Sequence, residues 1–466
     1  MEVQVPTPPT VDITTTTTTN HIVVVPYPSR GHINPMINFC KILVSKNSDI
    51  FITFVVTEEW LPSIGSEQQP QNLRFCSVPN VVPELGGSED NLLSVVEAVM
   101  TKMEAPFEEI LEQLKPKPKI IICDAFLFWA VDVGVRRNIP VATFWTTSTS
   151  EFWVQCFHVF QEYQRSPHKM LEYSEKVIDY VPGISWVRLA DIHNLEETNP
   201  DMFKWAMKSC EWMLKAQYLL FPSVYEIEHH VVDAIKSWLP IPIYTFGPNI
   251  PYFSIEDHAK SLNSSTNGSD HSYLEWLNNQ PNDSVIYISF GSFLSVSSEQ
   301  MDEIADALRD SGVRFLWTTR NESPKLKEIS GEMGLVIPWC NQLKVLIHPA
   351  VGGYWTHCGW NSTMEGVYSG VPFLTFPLML DQPLVSKLIV DYWKVGWRVK
   401  KEDNLHTLVK RDEIAILLSK FMDLDNDEGK DIRKRAKELQ HISEVTIANG
   451  GSSDTNVKAI LKNIIN

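Results

Sequence analysis

The sequence has no excess of positive charge and no long uninterrupted apolar stretch. Its 40 lysines and arginines stand against 57 aspartates and glutamates, which leaves a formal net charge of −17. A surface of that sign repels the phosphates of nucleic acid, so we expect no nucleic-acid partner. The apolar run over 119–135 is interrupted by Asp124 and Asp132, so it does not indicate an integral membrane segment.

Cysteine is scarce and scattered, and a secretory signal is missing. The seven cysteines are odd in number and none form a C-x-x-C pair, which favours a reduced, cytoplasmic protein. Residues 1–20 are polar and include six consecutive threonines, so we expect a disordered leader there. No G-x-G-x-x-G motif follows the first apolar run, which excludes a typical dinucleotide-binding dehydrogenase.

The first half of the chain alternates between short apolar runs and amphipathic segments, a pattern typical of a parallel sheet covered on both faces. Asn34 and Pro35 suit the cap and the first position of a helix that runs to Lys46, and a further helix is expected near 92–114. The predicted strands are 22–26, 51–56, 119–123 and 140–144, with another helix at 128–137.

A polar segment over 249–271, rich in Gly, Ser and Asn, predicts an interdomain linker, after which the alternation resumes. Ser297 and Gln300 resemble a capping box, and Gly312 ends the helix that they begin. The expected strands are 284–290, 314–319, 334–337, 351–355, 371–376 and 395–399, followed by a helix near 430–444. We therefore predict an N-terminal domain over 21–248, a C-terminal domain over 272–444, and a tail over 445–466.

Ligands of such sheets bind beyond the carboxyl ends of the strands, so the loops there should face a cleft between the domains. In the C-terminal domain these loops carry Gly291 and Ser292, and then the segment HCGWNS, which opens a helix. Free backbone N–H groups at both places favour a phosphate. The remaining polar and aromatic candidates are Trp339, His357, Asn361, Ser362, Glu365, Asp381 and Gln382.

Together these residues could bind a base, a ribose, a diphosphate and a sugar, which indicates a nucleotide-sugar site. Taken singly, Trp339 and Trp360 could instead be core aromatics and Gly291 a plain turn. In the N-terminal domain, His32 follows the first strand and Asp124 ends the strand at 119–123. A histidine in this position could act as a general base oriented by the aspartate, or it could be an ordinary surface histidine.

The 44 residues from Trp339 to Gln382, WCNQLKVLIHPAVGGYWTHCGWNSTMEGVYSGVPFLTFPLMLDQ, resemble the signature box of plant family 1 UDP-dependent glycosyltransferases. The segments PYPSRGHINPM, CDAF, FGP and SVIYISFGS extend the resemblance over nearly the whole chain. It implies an α/β protein of GT-B architecture, with two Rossmann-like domains, an acceptor site in the first and a UDP-sugar site in the second.

The resemblance also implies a role for each candidate residue. Trp339 would stack on uracil, Gln342 and Glu365 would bind the ribose, and Cys340 would belong to the same donor site. The diphosphate would be held by Ser292, His357, Asn361 and Ser362, and the sugar by Trp360, Asp381 and Gln382. His32 would be the base and Asp124 its partner, in one inverting displacement that uses no metal or other cofactor.

The expected activity is transfer of glucose from UDP-glucose to a hydroxyl of a small lipophilic plant metabolite, with flavonoids and other phenolics first and terpenoids or hormones as alternatives. Met379, Leu380 and Val385 depart from common family residues, which leaves the acceptor open. Rival hypotheses are an epimerase acting through released UDP, and a non-catalytic UDP-sugar-binding protein. A monomer is sufficient for any of these activities.

Two weaker patterns could indicate a metal. The acidic segment DLDNDEG over 423–429 has Glu428 where a calcium-binding loop needs glycine, so a solvated turn is favoured. His229 and His230 have no second cluster of ligands near them in the sequence, which favours a surface position. The sequence therefore predicts a protein without a metal ion.

Overall fold

The computed structural model describes residues 20–64, 70–80, 89–162, 181–188, 200–250, 271–291, 296–320, 324–400 and 407–465. The predicted leader up to residue 19, most of the predicted linker and Ser292 lie outside these residues. Within the described chain there are two parallel sheets, each covered by helices, as the alternation of the sequence predicts.

The first sheet has seven strands in the order β3-β2-β1-β4-β5-β6-β7. Strands β1 and β4 are adjacent and central, and both are fully buried because nearly all of their residues are apolar. The strands are β1 (Asn20–Val25), β2 (Ile50–Thr57), β3 (Leu73–Val78), β4 (Ile120–Asp124), β5 (Val141–Phe144), β6 (Tyr218–Phe221) and β7 (Ile243–Thr245).

The helices around this sheet depart from the prediction at two places that contain proline. The described helices are α1 (Arg30–Lys46), α2 (Leu61–Ile64), α3 (Glu89–Lys102), α4 (Glu104–Gln113), α5 (Phe128–Arg137), α6 (Thr149–Glu162), α7 (Pro200–Met213) and α8 (Tyr225–Trp238). The single helix expected near 92–114 is wrong, because α3 and α4 are separate. Pro106 lies in the first turn of α4, where its missing N–H leaves no gap in the hydrogen bonding.

Helix α1 begins one turn earlier than predicted, so the assignment of Asn34 and Pro35 to its start is wrong. Ser29, in an extended conformation, precedes the helix, and its carbonyl accepts from the N–H groups of His32 and Ile33 at 3.0 and 2.8 Å. These bonds stabilise a turn that places Pro35 inside the helix. His32 therefore lies in the first turn of α1, at the carboxyl end of β1.

The second sheet has six strands in the order β10-β9-β8-β11-β12-β13. Its central pair is β8 and β11, whose carboxyl ends precede Gly291 and the HCGWNS segment. The strands are β8 (Val285–Ser289), β9 (Arg314–Thr318), β10 (Gly334–Ile337), β11 (Val351–Thr356), β12 (Phe373–Thr375) and β13 (Gly396–Arg398).

The helices of this half follow the predicted alternation. They are α9 (His271–Asn278), α10 (Ser298–Ser311), α11 (Pro324–Glu328), α12 (Gln342–Leu346), α13 (Trp360–Ser369), α14 (Gln382–Lys387), α15 (Arg411–Met422), α16 (Asp427–Ile447) and α17 (Ser452–Ile465). The Ser297 side chain caps α10, as predicted, and Gly312 ends it with φ of 63°. The capping box is only half formed, since the Gln300 side chain bonds with the backbone of Val409.

The chain finally returns to the first domain through α17. Val457, Ile460 and Leu461 pack into the core formed by β1, β2 and α1. Lys46, the last residue of α1, contacts Asp454 at 2.6 Å. The end of the chain therefore braces the helix that carries His32.

Candidate functional site

His32 and Asp124 meet at the cleft. Because β1 and β4 are parallel neighbours, the residues at their carboxyl ends lie side by side. His32 Nδ1 is 2.6 Å from Asp124 Oδ2, and Asp124 Oδ1 accepts from Phe126 N–H at 3.0 Å. The aspartate side chain is fully buried and the histidine side chain is 22% exposed. The arrangement leaves the far edge of the imidazole, with Nε2, to face a reacting group.

Thr146 is a third member of this group that sequence reasoning missed. Its Oγ1 lies 3.2 Å from His32 Nδ1, and the residue is buried. It follows β5, the neighbour of β4 in the sheet. Its position just after a central strand was the sequence signal that could have identified it. The rings of Tyr27 and Phe126 flank the imidazole, with centroids 5.2 and 5.9 Å away.

Across the cleft, α13 begins directly beyond β11 and presents its N-terminus. Cys358 adopts a left-handed conformation with φ of 69°, and Gly359 caps the helix. The first intrahelical bond runs from Thr363 N–H to the Gly359 carbonyl at 2.9 Å. The N–H groups of Trp360, Asn361 and Ser362 precede that bond, so the helix start is suited to an anion.

The imidazole of His357 packs tightly between two glycines. A Cβ on Gly291, whose φ is 83°, would lie 2.8 Å from His357 Nε2, and one on Gly359 would lie 2.5 Å from it. Glycine is therefore needed at both positions for the ring to fit. Burial lowers the pKa of His357 to about 4, against a smaller opposing effect of the Ser289 backbone, so the ring is neutral at pH 7.

Gln342, Ser362 and Glu365 form one hydrogen-bonded cluster. Gln342 Nε2 donates to Ser362 Oγ at 3.0 Å and to Glu365 Oε2 at 2.6 Å, while its Oε1 accepts from the hydroxyls of Tyr287 and Tyr354. Burial raises the pKa of Glu365 to about 7, despite the bond from Gln342. The cluster thus holds a carboxyl group in a fixed position one turn into α13, where it could accept from ribose hydroxyls.

Two tryptophans of the signature box have opposite environments. Trp339 is 56% exposed beyond β10, which suits a stacking platform. Trp360 is buried in the core, and its Nε1 donates to the Pro222 carbonyl of the first domain at 3.2 Å. Cys340 is buried as well, with its sulfur 3.4 Å from the Tyr287 hydroxyl. The side chains of Trp360 and Cys340 are therefore occupied in packing, and what remains for a ligand is their backbone.

Asp381 and Gln382 lie at the start of α14, and Asp381 is near His32. Gln382 Oε1 accepts from the N–H groups of Leu378 and Met379 at 2.8 and 3.1 Å, which fixes the amide and leaves Nε2 as a donor. Burial raises the pKa of Asp381 to about 6, while nearby His32 lowers it. Leu380 has φ of 56°, an uncommon conformation for a bulky residue. Strain of this kind often accompanies functional loops.

Glu151 is a buried carboxyl group that the sequence did not reveal. It lies in the first turn of α6 and is paired with the side chain of Gln155. Burial raises its pKa to about 8, and the negative charge of Asp381 adds to the shift. Glu151 is therefore protonated at neutral pH, in a helix of the first domain.

Several large aromatic side chains of the first domain, the kind of residue that could line an acceptor pocket, are instead core residues. Trp129, Phe144 and Trp153 are at most 2% exposed, within the cores of the first domain. Phe126 is the one that contacts His32, and its ring lies 6.0 Å from that of Trp145. Phe126 thus lines the wall beside His32 and Asp124.

Within the described ranges, no group of three or more His, Cys, Asp and Glu side chains could hold a metal ion. The acidic segment over 423–429 forms the turn between α15 and α16, where Asn426 caps α16. No described helix is long and apolar enough to cross a membrane.

Comparisons with known proteins agree with this geometry. The family model described as UDP-glucoronosyl and UDP-glucosyl transferase matches residues 164–401. UDP-glycosyltransferase 87A1 of Arabidopsis thaliana is 43% identical over 446 residues, which cover 94% of this chain and 99% of that protein. 7-Deoxyloganetin glucosyltransferase of Catharanthus roseus is 32% identical over 479 residues, 95% of this chain and 96% of that protein.

Two solved structures share the fold at 25% identity and a TM-score of 0.80. Medicago truncatula UGT71G1, complexed with UDP-glucose, is matched over 96% of this chain and 98% of its own. Phytolacca americana UGT2, complexed with UDP-2-fluoro-glucose and pterostilbene, is matched over 95% and 99%. Both consist of the same two parallel-sheet domains.

Proposed function

Because the chain belongs to the UDP-glucoronosyl and UDP-glucosyl transferase family, as a plant family 1 enzyme of GT-B fold, we propose that it is an inverting O-glucosyltransferase. As a member it transfers a sugar from a UDP-sugar to a small-molecule acceptor. The proposal adds UDP-glucose as the donor, a lipophilic metabolite as the acceptor, and a β-glucoside as the product.

The observation that carries the proposal is the bond of 2.6 Å between His32 and buried Asp124. Asp124 holds the proton of the neutral imidazole on Nδ1, so that Nε2 is free to take the proton of an acceptor hydroxyl. The acceptor oxygen then attacks the anomeric carbon from the side opposite the diphosphate. The bond to the diphosphate breaks as the new bond forms, so an α-linked donor gives a β-glucoside.

Neutral hydrogen-bond donors and a helix dipole stabilise the leaving UDP in this proposal. The first-turn N–H groups of α13, the side chains of Asn361 and Ser362, and neutral His357 surround the place for the diphosphate. Ser292 completes the proposed set. Such donors can stabilise the charge that develops on the leaving oxygen, which supports a reaction without a metal ion.

The fixed amide of Gln382 and the neighbouring Asp381 are the proposed partners of the glucose hydroxyls. For the acceptor, the pterostilbene in the Phytolacca structure supports a phenolic compound, with flavonoids included. The Catharanthus relative, named for 7-deoxyloganetin, keeps terpenoids and hormones as the second candidate. A single chain carries all of the proposed site residues, so we propose that a monomer is active.

The test is a mass-spectrometric screen of purified protein with EDTA and no added metal. UDP-glucose and UDP-galactose are offered separately with flavonols, simple phenolics, terpenoid alcohols and hormones, and His32→Ala protein is the control. A product heavier by one hexose with UDP-glucose, formed far more slowly in the His32→Ala reaction, is the expected result. Binding of UDP without any product would favour a non-catalytic protein, and conversion of the UDP-sugar alone would favour an epimerase.

A further inference from the structure

One side-chain hydrogen bond links the donor half of the site to the helix turn that carries the proposed base. Asn361 Nδ2, at the start of α13, donates to the carbonyl oxygen of Gly31 at 2.7 Å. Gly31 directly precedes His32 in the first turn of α1. The bond crosses from the second domain to the first at the mouth of the cleft.

The sequence explains why the Gly31 carbonyl is available. In a regular helix it would accept from the N–H of the residue four positions later, which is Pro35. Proline has no N–H, so the carbonyl lacks its intrahelical donor. Pro35, which lies inside the helix and not at its start, thus leaves the Gly31 carbonyl as an available acceptor next to His32. The Asn361 amide donates to this carbonyl.

The Asn361 amide can serve both halves of the site at once. Its NH₂ group has two N–H bonds, and one is directed at Gly31. The other remains for the donor diphosphate, which the proposed function places at this helix start. A bond on each side would tie the position of the diphosphate to the position of the first turn of α1.

We propose that Asn361 is a positioning residue for His32, in addition to binding the diphosphate. It holds the Gly31 carbonyl, and with it the turn that sets the imidazole against Asp124 and the acceptor. The inference rests on the proposed function, because it requires His32 to be the base. Beyond that function, the inference states that a residue on the UDP-sugar side of the cleft helps to position His32.

A double-mutant cycle separates the two roles of Asn361. Loss of a contact with the leaving diphosphate lowers the rate whether or not His32 is present. Loss of a contact that acts through His32 lowers the rate only when His32 is present. We therefore compare kcat at saturating UDP-glucose for Asn361→Ala in the wild-type and in the His32→Ala background, with UDP affinity measured by calorimetry in each.

In the wild-type background we expect Asn361→Ala to lower kcat about tenfold, somewhat more than one ordinary hydrogen bond supplies. In the His32→Ala background only the diphosphate contact is lost, so the further loss of kcat should be smaller, about twofold, whereas UDP affinity should fall by the same factor in both. Ser362→Ala is the matched control. It lies next in α13 and bonds to Gln342 instead of Gly31, so its effect on kcat should be equal in the two backgrounds.

Equal effects of Asn361→Ala on kcat in the two backgrounds would overturn the positioning role and leave a diphosphate contact alone. Failure of His32→Ala itself to reduce transfer would refute the proposed function, which is a different outcome. If the alanine variant does not fold, Asn361→Asp keeps the shape and removes both N–H donors. Its effect on kcat should then depend on His32 in the same way, and an equal effect in the two backgrounds would count against the proposal.

Discussion

Replacement of Asp124 with asparagine tests the catalytic pair while changing its shape very little. In the protein both carboxylate oxygens accept hydrogen bonds, Oδ1 from Phe126 N–H and Oδ2 from His32 Nδ1. The asparagine oxygen can keep the bond from Phe126, which turns its NH₂ group towards Nδ1. The imidazole must then accept at Nδ1 and carry its proton on Nε2. In that tautomer it cannot take a proton from the acceptor hydroxyl.

The expected loss of kcat in Asp124→Asn combines two effects. The side chain of Asp124 is fully buried, so water cannot replace the lost charge next to the imidazolium. Loss of one charge-assisted hydrogen bond costs about 1.5–3 kcal/mol, which is roughly 10- to 150-fold in rate. The wrong tautomer adds to this, and asparagine in the equivalent place of a serine protease triad costs about 10⁴-fold. We therefore expect kcat to fall on the order of 10³-fold.

The assay is initial-rate glucosylation of the best acceptor from the screen, followed by chromatography, with UDP affinity measured in parallel. Asp132→Asn is the matched control, since Asp132 pairs with Arg136 on the exposed face of α5 and should give wild-type rates. UDP affinity of Asp124→Asn should stay within about twofold of wild type, because neither His32 nor Asp124 is among the proposed UDP contacts. A loss of kcat below about tenfold, with UDP affinity intact, would refute the tautomer argument.

Three further predictions concern other parts of the site. Trp339→Ala should weaken UDP binding about tenfold in calorimetry without lowering the melting temperature, since the ring is 56% exposed; unchanged affinity would exclude stacking. Gln382→Ala should raise KM for UDP-glucose far more than it weakens UDP binding, and equal effects would remove the amide from the sugar site. The folded state keeps the proton of Glu151 up to about pH 8, whereas the unfolded chain loses it near 4.5, so stability falls as pH rises between these values. Glu151→Gln should flatten that fall in a melting series from pH 5 to 8, and an unchanged slope would contradict the raised pKa.

The two sheets could be predicted because a buried parallel strand has a simple sequence pattern. Strands such as Val285–Ser289 are continuous apolar runs, and the amphipathic segments between them have helical periodicity. Helix starts were harder to predict, because several neighbouring residues can each favour the first turn of a helix. Pro35 indicated a first helical position, but the carbonyl of Ser29 accepts two earlier N–H groups and stabilises a turn before it.

The site was predictable where topology alone brings residues together. His32 follows β1 and Asp124 ends β4, and the two residues meet because these strands are parallel neighbours in the sheet. Burial could not be predicted in the same way. Trp339 follows β10 and Trp360 begins α13 just beyond β11, and only the tertiary structure shows that Trp360 is buried, with its Nε1 donating to the Pro222 carbonyl. The burial that raises the pKa of Glu151 is likewise a tertiary effect, without a local sequence signal.

The net charge and the site chemistry fit together. A chain with a net charge of −17 gains no general attraction for a nucleoside diphosphate, so binding must come from local groups. The groups identified are a helix N-terminus, an amide, a hydroxyl and a histidine whose pKa of about 4 keeps it neutral. These donors are directional, and one of them, Asn361, also donates to the carbonyl of Gly31 in the first turn of α1, next to His32. Directional donors would thus allow one residue to fill both proposed roles of Asn361, binding the leaving diphosphate and positioning His32.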